Sequence, residues 1–184
     1  MANRETFKTP VVTFVYPKIT KPDTYGPKAD GRFKTQFQYR TADGSYDKER
    51  SDKQREWLKA KAEQLGAKGK PKMPWNVDEE TGEVTFRAGS KYRPLVVDTK
   101  NNKVPEDLPI GGGSQGRLGL GLNFYDGRLS LYLNEVQLTK FVEYKRKDRE
   151  SSFEAVEDGF VVETTTEASD DEGEKGSETG ELVF

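Results

Sequence analysis

GRLGLGLNFYDGRLSLYL, residues 116–133, decides the fold. Leu118, Leu120, Leu122 and Phe124 recur at every second position, so in an extended chain they share one face. Asp126-Gly127 accepts the left-handed backbone of a tight turn, and Leu129, Leu131 and Leu133 repeat the period beyond it. The two halves therefore make an antiparallel hairpin with a leucine-lined inner face. Val136 and Leu138, and then Phe141 and Val142, resume the alternation after a change of parity at Asn134-Glu135, which predicts a β-bulge there. The opposite face carries Arg117, Gly119, Gly121 and Asn123 on one strand and Arg128, Ser130 and Tyr132 on the other. Glycine weakens a strand, so Gly119 and Gly121 imply either a sharp barrel bend, the simpler cause, or a surface that something approaches closely.

Working outward, GRFKTQFQYR at 31–40 has the same period. Phe33, Thr35, Phe37 and Tyr39 face a core, and Arg32, Lys34, Gln36, Gln38 and Arg40 form a basic, amide-rich stripe on the other side. TPVVTFVY at 9–16 reads as a strand closed by Pro17, and a turn-rich loop follows it. Residues 47–66 read as the one helix, with Ser51 or Asp52 as N-cap, Leu58, Ala62 and Leu65 on one face, and Gly66 as its stop. The Pro-rich stretch 67–82 reads as an exposed connection. Residues 83–88 and 92–99 read as short strands, with Pro94 placing the second at an edge or bulge. About five strands of uneven length with one inserted helix predict a mainly β domain, a small OB-type barrel, over residues 1–150.

Charge divides the chain differently. Residues 154–184 carry eleven acids and one lysine, a net of −10, whereas residues 1–153 carry 29 bases and 21 acids, a net of +8. A basic body with an acidic appendage points to a polyanion-binding domain and an interaction tail over 151–184, too polar to fold alone. Its end is apolar, with Leu182, Val183 and Phe184 following a run that includes Asp170, Asp171, Glu172 and Glu181. The sequence has no cysteine and no histidine. That removes disulfides, thiolate and imidazole metal sites, and nucleophile pairs built on either residue, so neither metal nor cofactor is expected. No apolar window reaches the roughly 18 residues of a membrane span, and a soluble, cytoplasmic protein is expected.

Cations and rings on strands, without a general base, match what is needed to hold an unpaired nucleic-acid strand: cations track phosphates and rings stack on bases. Tyr16, Tyr25, Trp75, Tyr92, Tyr125 and Tyr132 are the candidate rings, and Trp57 on the helix is assigned to packing. Gly111-Gly112-Gly113-Ser114 lacks the lysine and following helix of a phosphate cradle and reads as a flexible β-connection. Asp78, Glu79, Glu80 and Glu83 are consecutive enough to be simply solvated rather than converging on a metal.

ITKPDTYG (19–26), GRFK (31–34), TFRAGSKY (85–92), LVVDTKNNKVPEDLPIGGGS (95–114) and LNFYDGRLSLYLNEVQLTKFVE (122–143) together resemble the single-stranded-DNA-binding replication proteins of tailed phages, of the small-podovirus type. The likeness spans residues 15–143, and the acidic tail with its terminal aromatic is similar in character. It implies an OB barrel with an inserted helix, a non-enzymatic role in coating and annealing single strands during phage replication and recombination, and a location in the cytoplasm of the infected host. It implies DNA contacts at Lys34, near Arg87 and at Tyr125, and a tail that competes for the groove and recruits a phage polymerase, primase-helicase or recombination exonuclease. A homodimer is carried over too, although the tail is shorter and less acidic here and the loop between the last two strands is much shorter. Residues and resemblance together nominate Arg32, Lys34, Arg40, Arg87, Tyr92, Arg117, Tyr125, Arg128 and Tyr132 for single-stranded DNA, and Asp170, Asp171, Glu172, Glu181 and Phe184 for a protein partner. A protein-binding or DNA-mimic inhibitor acting through the tail is the alternative of a different class, a metal-dependent nuclease a third, and RNA remains open as the ligand.

Overall fold

The computed structural model describes residues 5–146. The order is β1 (Thr6–Lys8), β2 (Val12–Lys18), β3 (Phe33–Gln38), α1 (Lys48–Gln64), β4 (Trp75–Val77), β5 (Val84–Ser90), β6 (Leu95–Val97), β7 (Gln115–Tyr125) and β8 (Arg128–Lys140). Five strands close on themselves in the order β7-β2-β3-β5-β8, with β8 returning to β7. Every junction is antiparallel except β5 to β8, a parallel contact in which Gly89 stands opposite Tyr132. This is the closure of an OB barrel, with α1 inserted between its second and third strands.

The β7–β8 hairpin forms as its period requires, with Leu118, Leu120, Leu129 and Leu133 fully buried. Its register slips between Gly119 and Leu120, leaving Asn134 as the extra residue at the expected bulge. From the other strands come Phe14, Phe37, Tyr39 and Phe86, with Phe37 stacked on Phe86 at 5.4 Å between ring centres. Leu58 and Ala62 of α1 join this core, and Trp57 packs on Phe7 of β1 at 4.7 Å.

The glycines answer to packing against the chain's own strands. A Cβ on Gly116 would stand 2.3 Å from the Gln137 carbonyl, and one on Gly119 would collide with the Glu135 side chain. β7 also shares one of its edges between two partners: β2 at Gln115 and Gly116, and β1 from Gly119 to Gly121.

Several local expectations give way. Pro17 does not close the first strand: β2 runs on to Lys18 through a register slip after Val15, where Tyr16 adopts φ +48° and Pro17 needs no ladder donor. The strand expected at 9–16 forms as β2, begins only at Val12, and is preceded by the short β1, which pairs with β7. Asp47, not Ser51 or Asp52, caps α1 by accepting the Arg50 N–H, and the Ser51 hydroxyl donates back to the Asp47 carbonyl. Leu65, placed with Leu58 and Ala62 on one helix face, is exposed at the helix end. The connection at 67–82 contains β4, whose Trp75 sits opposite Phe86. The strand at 92–99 shortens to β6, an edge strand as Pro94 foretold. Gly111–Ser114 is a latch: Gly111 N–H bonds Val142 O, Gly113 N–H bonds Phe14 O, and buried Ser114 exchanges hydrogen bonds with the Val142 backbone. The tail residues Asp170, Asp171, Glu172, Glu181 and Phe184 lie outside the described residues.

Candidate nucleic-acid interface

Antiparallel pairing sets outward side chains in rows. Lys18 of β2 stands opposite Lys34 of β3, Lys34 opposite Gly89 of β5, and Gly89 opposite Tyr132 of β8. The neighbouring row joins Gln36 to Arg87. Because Gly89 has no side chain, the floor between Lys34 and Tyr132 is open backbone. At one side Lys72 bridges to Arg128 at the start of β8. At the other, the β2–β3 loop closes on itself through Asp23 N–H to Arg32 O (2.9 Å) and Gly31 N–H to Asp23 O (2.8 Å), bringing Lys28 and Arg32 over the edge.

The result is an open groove of about 1010 Å³ across the outward faces of β3, β5 and early β8, lined by seven Lys or Arg residues and only two acids, Asp23 and Asp30. Among the described residues, Arg32, Arg87 and Arg128 have no carboxylate within ion-pair distance, so their charge is presented to solvent. Lys34 differs: its Nζ lies 2.6 Å from Asp23 and 3.4 Å from Asp30. The Asp23 hydrogen bond raises the Lys34 pKa above its ordinary value, and the Arg32 backbone N–H, helped by Lys34, holds Asp30 below its own.

Arg32, Lys34, Arg87, Arg128 and Tyr132 thus converge on one surface. Tyr125 is exposed at the hairpin tip, paired with Arg128 but outside the groove lining. Three nominated residues sit elsewhere. Arg40 donates to Gln38 and to the Gly44 carbonyl and pairs with Glu83 at 3.5 Å, so its charge is spent inside the fold. The Arg117 Nε–H donates to the Thr9 carbonyl, and Tyr92 is exposed on the turn after β5. Of the other rings, Trp75 packs edge-on against Phe86 beneath Arg55, and Tyr25 is exposed on the β2–β3 loop.

Tyr16, Lys18, Lys28 and Lys72 supply the rest of the groove's cations and rings. Tyr16, 77% exposed, is aimed by the β2 bulge. The signal for it was Tyr-Pro at the end of a β-branched run, since Pro in a strand marks a bulge or edge. Asp78 accepts the N–H groups of Glu80 and Thr81 and Glu83 pairs with Arg40, so the acidic stretch closes a turn; among the described residues no group of three or more metal-ligating side chains converges.

No family model and no curated protein sequence matches the chain. Solved structures do. The single-stranded-DNA-binding protein gp2.5 of bacteriophage T7 superposes with a TM-score of 0.60 at 20% identity, over 87% of this chain and 100% of that one. The single-stranded-DNA-binding protein of bacteriophage Enc34, as a C-terminal truncation, gives 0.57 at 16% identity over 75% of this chain and 87% of its own. The Enc34 protein in complex with single-stranded DNA gives 0.53 at 20% identity, over 75% and 88%. This chain has their fold. The barrel and inserted helix expected from the resemblance are therefore present, and the groove lies on the second and third barrel strands and adjoining loops, the surface on which OB folds hold oligonucleotides.

Proposed function

We propose that this chain binds single-stranded DNA with little sequence preference, in the groove over β3 and β5. The observation that carries the reading is the charge of that groove: seven cations against two acids on the ligand face of an OB barrel. The cations follow phosphates, Tyr16 and Tyr132 offer rings to bases, and the open floor at Gly89 admits a strand close to the backbone. Base stacking is typically worth about 1 to 3 kcal/mol per base and is indifferent to base identity. Binding of this kind needs no chemistry at the ligand, and the role that fits is non-enzymatic: coating and protecting single strands during phage replication and recombination in the host cytoplasm, and promoting annealing. The acidic tail, with its net charge of −10, supports a further role as competitor for the groove, and Phe184 a role as anchor for a replication or recombination enzyme.

The test is fluorescence anisotropy with a labelled 30-nucleotide strand, using the full chain and a truncation after Phe153 at two salt concentrations, with duplex and RNA competitors. Tighter binding by the truncation, with a salt slope near −0.7 per neutralised phosphate, is the expected result. If neither form binds, the DNA reading is wrong and a tail-borne, DNA-mimicking protein interaction takes its place.

A further inference from the structure

Among the described residues, Lys34 is the one groove cation with carboxylates at ion-pair distance, and they are the only two acids in the lining. Both come from the loop that closes at Asp23 and Arg32. Asp23 is held there by its backbone pairing, and Asp30 accepts the Arg32 N–H at 3.1 Å. Neither is a stray surface charge: the loop delivers two anionic oxygens to one ammonium, which has three protons to donate. Lys34 is the centre of its row, flanked by Lys18 and the bare floor at Gly89, where a phosphate tracking the groove has to pass.

We infer that Asp23 and Asp30 are built-in competitors for phosphate at Lys34, and that they set the affinity and salt dependence of the groove. The inference rests on the function proposed above. A phosphate reaching Lys34 displaces or shares with carboxylates already there, so the gain is the difference between two anions rather than a full new ion pair. Displaced carboxylates also recruit cations, which offsets part of the counterion release that drives association. The pair lowers affinity while leaving the groove quick to release its strand.

The experiment compares the wild-type full chain with D23N/D30N on a 30-nucleotide oligothymidylate across a salt series, each with and without Lys34→Ala. Asparagine keeps the shape and can still accept the Arg32 N–H. The expected result is binding roughly three- to tenfold tighter in D23N/D30N, and a log-log salt slope steeper by up to about 0.7. Lys34→Ala should cost more affinity in the D23N/D30N background than in wild type. That last comparison separates local competition from a general rise in net charge, which would leave the cost of Lys34→Ala unchanged. Should the double variant melt at a lower temperature than wild type, Asp30→Asn alone, which removes only the longer contact, should still tighten binding by about twofold. Equal or weaker binding by both variants, or an unchanged cost of Lys34→Ala, overturns the inference while leaving the groove as the binding site. Absence of binding by the wild type overturns the functional reading itself.

Discussion

The two ends of strands β3 and β5 carry similar residues and do opposite things. At one end Lys34, Arg87 and Gly89 face an open groove, where Arg87 has no carboxylate partner among the described residues. At the other end Gln38 donates to Thr85 at 2.9 Å, Arg40 donates to Gln38 at 2.6 Å, and Glu83 pairs with Arg40. An arginine at each end thus has a different fate, decided by whether neighbours consume its charge. Gly116 belongs to the closed end too, since Thr13 of β2 pairs with both Gln38 and Gln115. A binding surface is accordingly defined less by how many cations a strand offers than by how many it leaves unspent.

Breaking the closed end should have the largest effect. Gly116→Ala drives a methyl into the Gln137 carbonyl and is expected to cost about 3 kcal/mol of folding stability, read by urea unfolding. Strand affinity of the fraction that remains folded should not change. At the open end, Arg87→Ala with Arg128→Ala should weaken single-strand binding by about tenfold or more and reduce the salt slope by about 1.4, with little change in unfolding. An unchanged slope would mean that these guanidiniums do not meet phosphates. Tyr16→Ala should cost about fivefold in affinity through a lost stack, whereas Tyr92→Ala, off the groove, should stay within about twofold. Equal losses would mean that the binding surface extends to Tyr92.

Arg40→Ala sharpens the contrast further: its DNA affinity should match wild type within about twofold, while stability falls by about 0.5 to 1 kcal/mol, because a half-buried bonded network loses its donor. The smallest effect expected is that of pH. With no histidine in the chain, strand affinity should be flat between about pH 6 and 8. Stability follows carboxylates whose folded pKa values are depressed: Asp43, held to about 2 by Thr41 and Ser45, and also Asp30, Asp52, Asp78 and Asp98. Their contribution is complete above the ordinary carboxylate range and disappears as pH falls through the depressed values, so the melting temperature should hold from about pH 8 to 5 and decline below about pH 4.

Much of this was legible in the chain. The leucine period of 116–133, the bulge at Asn134 and the alternation of 31–40 are local signals, and they set the hairpin, the core and the stripe that holds Lys34. Arg32 and Arg128 followed from parity, and Arg87 from the family resemblance. Arg40 and Arg117 have the same outward parity, and what separates them is long-range: Glu83 lies 43 positions from Arg40, and Thr9 lies 108 positions from Arg117. Lys72 was invisible for the same reason, since only the bridge to Arg128 brings it to the groove. Strand β4 was hidden among prolines and acids because it owes its existence to pairing with β5 rather than to its own composition.

The parallel contact between β5 and β8 is a single pair, Gly89 with Tyr132, and it lies in the floor of the groove. No other seam of the barrel has so few residue pairs, while the β7–β8 seam beside it is paired along its whole length. Under the proposed function, a DNA strand lying across the groove would span that seam and fasten β3 and β5 to β8 from outside. Ligand and fold are then thermodynamically linked: a hundredfold excess over Kd raises unfolding free energy by about 2.7 kcal/mol. The amides around Gly89 and Tyr132 should record this first, as slowed hydrogen exchange on saturation with DNA.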